Sequence, residues 1–281
     1  MNYMKTFILF LALTMLLIWI GSIIGGQNGA LTAFIFALVI NIASYWFSDR
    51  IVLAMYKARE VSKSAAPKLY SILEKLTADA GLPMPRVCVI QQDVPNAFAT
   101  GRDPGHAAVC VTQGILGLLS EEELKGVLAH ELAHIKNRDT LIMTVAATVA
   151  GAVMMLANMA RWASFFAGSG GRNERDRGNT ISLLAVAIIA PIAAMIVQLA
   201  ISRTREYAAD KRGAFFAHSP YGLAKALGKL DYAAGRYRMN ASPQTAHMFI
   251  VNPLRGNFLA TLFSTHPPVE KRIERLEALK I

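Results

Sequence analysis

Four long apolar blocks constrain this chain more than any other feature. Thr6 to Ile24 carries no charge, and Ala30 to Phe47 follows it after a short GGQNG turn. Thr140 to Ala160 and Ile181 to Ile201 form a second pair, richer in alanine. Each block is close to the ~20 residues that a helix needs to cross hydrocarbon. Charged residues make up only 17% of the chain and hydrophobic residues 54%, against about 25% charged in a soluble domain. The first block is too long for a signal peptide and a second span follows at once, so the pair reads as a hairpin anchor. In the second pair, Ala147 and Gly151 are four apart, as close helix contact in lipid requires. Pro191 lies midway along the last block, where a buried span tolerates a kink.

The expected fold class is therefore a mainly α integral membrane protein with four transmembrane helices and a small β-sheet. Its organisation reads as a transmembrane hairpin (1–47), a soluble part (48–139), a second hairpin (140–201) with a loop at 161–180, and a further soluble part (202–281). The net charge of +10 does not indicate nucleic acid, because the basic residues flank the apolar blocks and form no stripe or known module. That distribution fits cytoplasmic segments under the positive-inside rule, and it places the termini and both soluble parts in the cytosol. The four arginines of the 161–180 loop run against this, but the soluble parts carry many more basic residues. Cys88 and Cys110 each sit in a β-like run with no CxxC, so both read as reduced core thiols.

The soluble part at 48–139 begins with a helical stretch from Val52 to Ala80, interrupted near Pro67. Three β-like runs follow, Arg86 to Gln91, Asn96 to Thr100 and His106 to Thr112. Ser120 and Glu123 then have the spacing of a capping box, in which each side chain satisfies a free N–H of a helix start. Residues 202–281 read as helical and end in an amphipathic stretch, Val269 to Lys280.

The helix that Ser120 opens carries His130-Glu131-Leu132-Ala133-His134. Residues i and i+4 share one helical face, so both imidazoles can point at one ion. Glu131 is rotated by about 100° from His130, near enough to act on water beside the ion without taking a ligand position. A catalytic zinc takes three protein ligands and leaves a fourth position open. No histidine completes an extended HExxHxxGxxH pattern, but Glu206 and Asp210 form a carboxylate pair at i and i+4. Glu206 could bind the ion, and Asp210 could orient a ligand histidine through its other ring nitrogen.

Together, HELAHIKNRD, the following apolar pair, SRTREYAAD and STHPPVEKRIERL resemble the HtpX family of bacterial membrane metalloproteases, relatives of the CAAX prenyl endoproteases. The resemblance covers essentially the whole chain. It implies a gluzincin-like zinc protease fold, an active site facing the cytosol at the plasma membrane, and a role in quality control of membrane proteins. By motif, His130, His134 and Glu206 become ligands of one Zn2+ per chain and Glu131 the catalytic acid/base. Asn96, Ala97, Phe98 and Ala99 resemble the family's exposed strand, which can hold an extended peptide by main-chain hydrogen bonds. His266 resembles a family histidine that approaches the metal, either to stabilise an oxyanion or to fill the open position. The partners implied are unfolded or membrane-protein polypeptides and the bilayer, with no nucleic acid.

Two other functions compete. A silent zinc-binding scaffold would close all four metal positions and favour cysteine, which neither the ligand set nor Glu131 suits. An ion path would place its ionisable residues within the spans, whereas here they flank them.

Overall fold

The computed structural model describes residues 2–145, 203–234, 249–250 and 267–281. The fourth apolar block, most of the third, the 161–180 loop and His266 lie outside these residues. Helix α1 (Asn2–Trp46) is two helices joined at Gly25 and Gly26, and Gly26 has φ 58° and ψ −140°. This is where the sequence placed a turn, two residues into GGQNG. The arms fold back on one another, with Asn41 Nδ2 donating to Thr14 Oγ1 at 2.8 Å. They touch through main chain near the turn, since a Cβ on Gly29 would lie 2.2 Å from the carbonyl of Gly21. Gly25–Trp46 contains 22 residues and is, among the described residues, the one helix long and apolar enough to cross a membrane. At ~1.5 Å per residue it matches a ~30 Å hydrocarbon core. Trp19, Phe34, Ile35, Val39 and Ile42 stand exposed on the hairpin, a surface suited to lipid. At its end the Arg102 guanidinium lies over the Trp46 ring at 4.9 Å, an aromatic and basic pairing typical of a bilayer interface.

The expected helix from Val52 to Ala80 is corrected by the structure. Helix α2 (Ser48–Met55) stops early, a two-residue strand β1 (Arg59–Glu60) follows, and α3 (Pro67–Ala80) starts only at the proline. Pro67 suits the first helical turn, where its missing N–H has no partner to lose. Gly81 ends α3 in the left-handed region at φ 59°. The three expected β-runs appear as β2 (Arg86–Ile90), β3 (Ala97–Gly101) and β4 (Ala107–Thr112). Their order in the sheet is β1-β2-β4-β3, with β2 parallel to β4 and both outer pairings antiparallel. Cys88 and Cys110 are register partners on β2 and β4, and both are buried and free.

A short helix, α4 (Gln113–Leu118), leads into α5 (Glu121–Asn137). The capping box forms as expected: Glu123 N donates to Ser120 Oγ, and Ser120 N donates to Glu123 Oε2 at 2.8 Å. Helix α5 is buried almost all round, by α3 and β3 and by helices α6 (Arg203–Phe216) and α7 (Tyr221–Ala234). Leu124, Val127, Leu128, Leu132 and Ile135 fill its contacts with the core. Helix α8 (Val269–Glu277) closes the structure against α6 and α7.

Glycine sets how closely these helices approach. A Cβ on Gly126 of α5 would lie 2.3 Å from Leu223 N of α7, and one on Gly213 of α6 would lie 2.8 Å from His130 N. Gly126→Ala is expected to destabilise the protein by about 1–3 kcal/mol, the usual cost of overpacking. A lowered thermal midpoint with near-normal metal affinity is the expected result. An unchanged midpoint would show that α7 yields without cost.

Candidate metal centre

Helix α5 turns His130, Glu131 and His134 inward, where they are 2%, 6% and 3% exposed. A buried helix face of three ionisable groups is too unfavourable to persist unless the groups are matched to one another or to an ion. Helix α6 supplies the match from the other side with Glu206 (1% exposed). The Nε2 atoms of His130 and His134 are 3.2 Å apart. Glu206 Oε1 lies 3.5 Å from His134 Nε2, and Oε2 lies 3.8 Å from His130 Nε2. Ligand atoms at ~2.0–2.1 Å from a tetrahedral zinc are separated by roughly 3.3 Å. The three side chains therefore already stand at the edges such an ion would need, and among the described residues they form the group that could hold a metal.

Charge supports the fit. Around the two histidines lie four buried carboxylates, Glu131, Asp139, Glu206 and Asp210. Two guanidiniums face them: Arg272 lies 2.7 Å from Asp210, and Arg205 lies 3.9 Å from Asp139. With both rings as neutral metal ligands, two negative charges are left over among the described residues, which one divalent cation would offset.

Each histidine is also supported on its far side. His130 Nδ1 lies 2.9 Å from Asp210 Oδ1, the place expected of Asp210 from its spacing. His134 Nδ1 lies 3.3 Å from Asp139 Oδ2, a contact the sequence did not suggest. On a continuous helix, residues five apart point about 140° away from each other. Here α5 ends, Arg138 takes the left-handed conformation at φ 57°, and the chain turns Asp139 back beneath the ring. The signal available was an aspartate just past the helix end and just before an apolar block. Arg272 was also missed as a site residue, although it lies in the quoted C-terminal motif.

Electrostatics follow this layout. Burial would lower the His134 pKa, but the Asp139 hydrogen bond and the Glu206 and Glu131 charges outweigh it and raise the pKa to about 9 in the metal-free protein. Burial pushes the Glu131 carboxyl above the ordinary range, and the neighbouring histidines oppose this only in part. Burial alone would raise the Asp210 pKa, but the charge and hydrogen bonding of Arg272 and the nearby His130 together outweigh it and hold the carboxyl low.

Among the described residues strand β3 ends the sheet beside this cluster, and Asn96, Ala97, Phe98 and Ala99, expected on an exposed strand, are buried. Its partner β4 is engaged through Asn96, whose carbonyl accepts from Thr112 N at 2.9 Å. By the two-residue period of a strand, Ala97 and Ala99 turn their main-chain groups to the other side. Accordingly, Ala99 N donates to Glu131 Oε2 at 2.9 Å. Asn96 is more than a strand residue, for its Oδ1 accepts from Ile250 N at 3.2 Å. Phe98 points to the opposite face, into the small core around Val52 and Ile90 and against Tyr56.

The comparisons agree with this geometry. The profile of Peptidase family M48 matches residues 63–280. A protein described as "Protease HtpX homolog" from Syntrophobacter fumaroxidans is 55% identical over 98% of this chain and 98% of its own length. One of the same description from Pyrococcus furiosus is 55% identical over 99% of this chain and 96% of its own. The crystal structure of S. mikatae Ste24p shares the fold, with TM-score 0.50 and 19% identity, covering 94% of this chain; the chain spans 62% of that protein. Matches that run from the helical hairpin through the donor helices to the last helix leave one assignment: the chain belongs to peptidase family M48, among the HtpX metalloproteases.

Proposed function

We propose that this metalloprotease is a multi-pass membrane zinc endopeptidase that cuts misfolded or damaged membrane proteins at the cytosolic face of the bilayer. The observation that carries the reading is the hydrogen bond from Ala99 N to Glu131. It places the edge of a strand, a buried carboxylate and a His130, His134, Glu206 donor set side by side.

These three residues would hold the zinc, which when bound supplies Lewis acidity to the water and to the scissile carbonyl. Glu131 accepts the proton of the attacking water and returns it to the leaving amine. A carboxylate whose pKa is raised by burial suits both halves of that transfer. Asp210 and Asp139 hold the two rings by their Nδ1 atoms, leaving each Nε2 turned to the metal. The main-chain groups of Ala97 and Ala99 on the side away from β4, where Ala99 N donates to Glu131 in this structure, would pair with an extended polypeptide, which selects for unfolded chain over any side-chain sequence. His266, outside the described residues, keeps the role that the family resemblance gives it, to stabilise an oxyanion or to fill the remaining metal position.

The membrane setting rests on the position of the donor helices. Thr140 follows His134 by six residues, and Ser202 precedes Glu206 by four. The apolar blocks thus leave from and return to one side, in the cytosol by their basic flanks. Single cysteines at Lys136, which is exposed beside the third apolar block, and at Ser202, with Cys88 and Cys110 replaced, test this with a membrane-impermeant thiol reagent. Labelling is expected in inside-out vesicles alone, and labelling of both from outside intact cells would sink the assignment. For activity, the purified full chain is reconstituted with zinc and a single-span reporter bearing either a folded or an unfolded cytosolic domain. Cleavage of the unfolded form alone, stopped by a chelator, is the expected result. A metal-loaded enzyme that ignores both reporters would refute the reading.

A further inference from the structure

The most deeply buried cation among the described residues does not coordinate anything. Arg272, on the inner face of α8, is 0% exposed. Its Nε donates to Asp210 Oδ2 at 2.9 Å and its Nη2 to Asp210 Oδ1 at 2.7 Å, a two-pronged grip on one carboxylate. Its Nη1 donates to the carbonyl of Ile250 at 3.1 Å. Nη2 also comes within 3.4 Å of His130 Nε2, and Nη1 within 3.8 Å of Glu206 Oε2. A guanidinium buried so fully is tolerated only when both its charge and its donors are matched.

We propose that Arg272 is a positioning residue of the metal centre, acting through Asp210 to fix the ring plane and tautomer of His130. Asp210 Oδ1 lies 2.9 Å from His130 Nδ1, in charge contact though not aligned as a hydrogen bond, so a small turn of the ring would complete it. A carboxylate there keeps the proton on Nδ1 and the lone pair of Nε2 directed at the ion. By itself Asp210 could rotate about its side-chain bonds, but the two bonds from Arg272 leave it one orientation. The planar fork is what does this, and a lysine offers only a point charge. The third bond, to Ile250, ties the same guanidinium to the residue that Asn96 holds beside β3. One side chain thus links the C-terminal helix, a histidine of the donor set and the neighbourhood of the edge strand. The proposal rests on reading His130, His134 and Glu206 as a zinc site.

The test is zinc affinity, measured on the full chain in detergent by competition with a chromogenic chelator. Far-ultraviolet circular dichroism and the thermal midpoint are recorded on the same samples. Arg272→Gln and Arg272→Lys are each expected to weaken zinc binding by about 10–100-fold, the usual effect of a group that supports a ligand. Asp210→Asn with Arg272→Gln should bind zinc no more weakly than Asp210→Asn alone, because both changes disable one arm. Millimolar methylguanidinium should restore binding to Arg272→Ala but not to Asp210→Asn. Zinc affinity unchanged in Arg272→Lys and Arg272→Gln, or losses that add in the double variant, would overturn the proposal. Should Arg272→Gln alone misfold, Arg272→Lys and the double variant, which removes both buried charges together, carry the comparison. A wild-type chain that binds no zinc would overturn the metal reading beneath it, a result distinct from the others.

Discussion

Replacing Glu131 with glutamine is expected to lower peptide hydrolysis by about 10²–10⁴-fold, the range of a lost general acid–base group, with the metal still bound. Glutamine keeps the shape of the side chain, and its amide oxygen can still accept from Ala99 N, which lies 2.9 Å from Glu131 Oε2. What it loses is the ability to take a proton and give it back. The donor set of His130, His134 and Glu206 is untouched by the change. Hydrolysis and zinc stoichiometry measured on one preparation separate the two effects. Turnover close to wild type would remove Glu131 from the chemistry, and zinc lost along with activity would make it a ligand.

Glu206→Ala should fail differently, losing metal and activity together by more than the ~10–100-fold of a supporting residue. Its carboxylate is 1% exposed and is the only acidic member of the donor set. Without it, the two imidazoles face Arg272, whose Nη2 is already 3.4 Å from His130 Nε2. The same site should bind metal in a pH-dependent way. Because the His134 pKa is raised to about 9 without metal, a proton occupies this ligand across the neutral range and must leave when zinc enters. Zinc affinity should therefore rise with pH, by up to ~10-fold per unit below that value while a single proton is exchanged. Competition titrations from about pH 6 to about pH 8 would check the slope. A flat profile would mean that His134 is already neutral, and the raised pKa would be wrong. Zinc retained at wild-type affinity in Glu206→Ala would move the third ligand elsewhere.

What the sequence made legible was whatever is encoded in local spacing. His130 and His134, one turn apart, and Glu206 and Asp210, one turn apart, read as two helix faces, and the two helices do place those faces together. The capping box at Ser120 and Glu123 was legible for the same reason. The contacts that were missed depend on a break or on distance along the chain. Asp139 reaches His134 only because Arg138 leaves the helix with a positive φ, and arginine carries no strong signal for that conformation. Arg272 meets an aspartate 62 residues upstream, and on an amphipathic charged helix it looks like one more solvated residue. Strand β1 was read as helix because two residues are too few for a period. Its identity comes only from pairing with Val89 and Cys88. Strand β3 was displaced by one residue: Gly101 extends it, while Asn96 serves as a clamp on Ile250.

The close approach at Gly213 means that the gap between the donor helices is gauged by main chain against main chain. A Cβ there would lie 2.8 Å from His130 N, so no side chain cushions α6 against the ligand that it faces. Backbone does not change with mutation, and a gauge made of it holds its setting while the surrounding apolar residues drift. Conservative exchanges at Leu128, Leu132 or Leu227 should therefore shift the melting temperature and leave the donor spacing alone. Over many generations such a centre tolerates wide turnover of its core, provided that a single hydrogen remains where every other residue would carry a carbon.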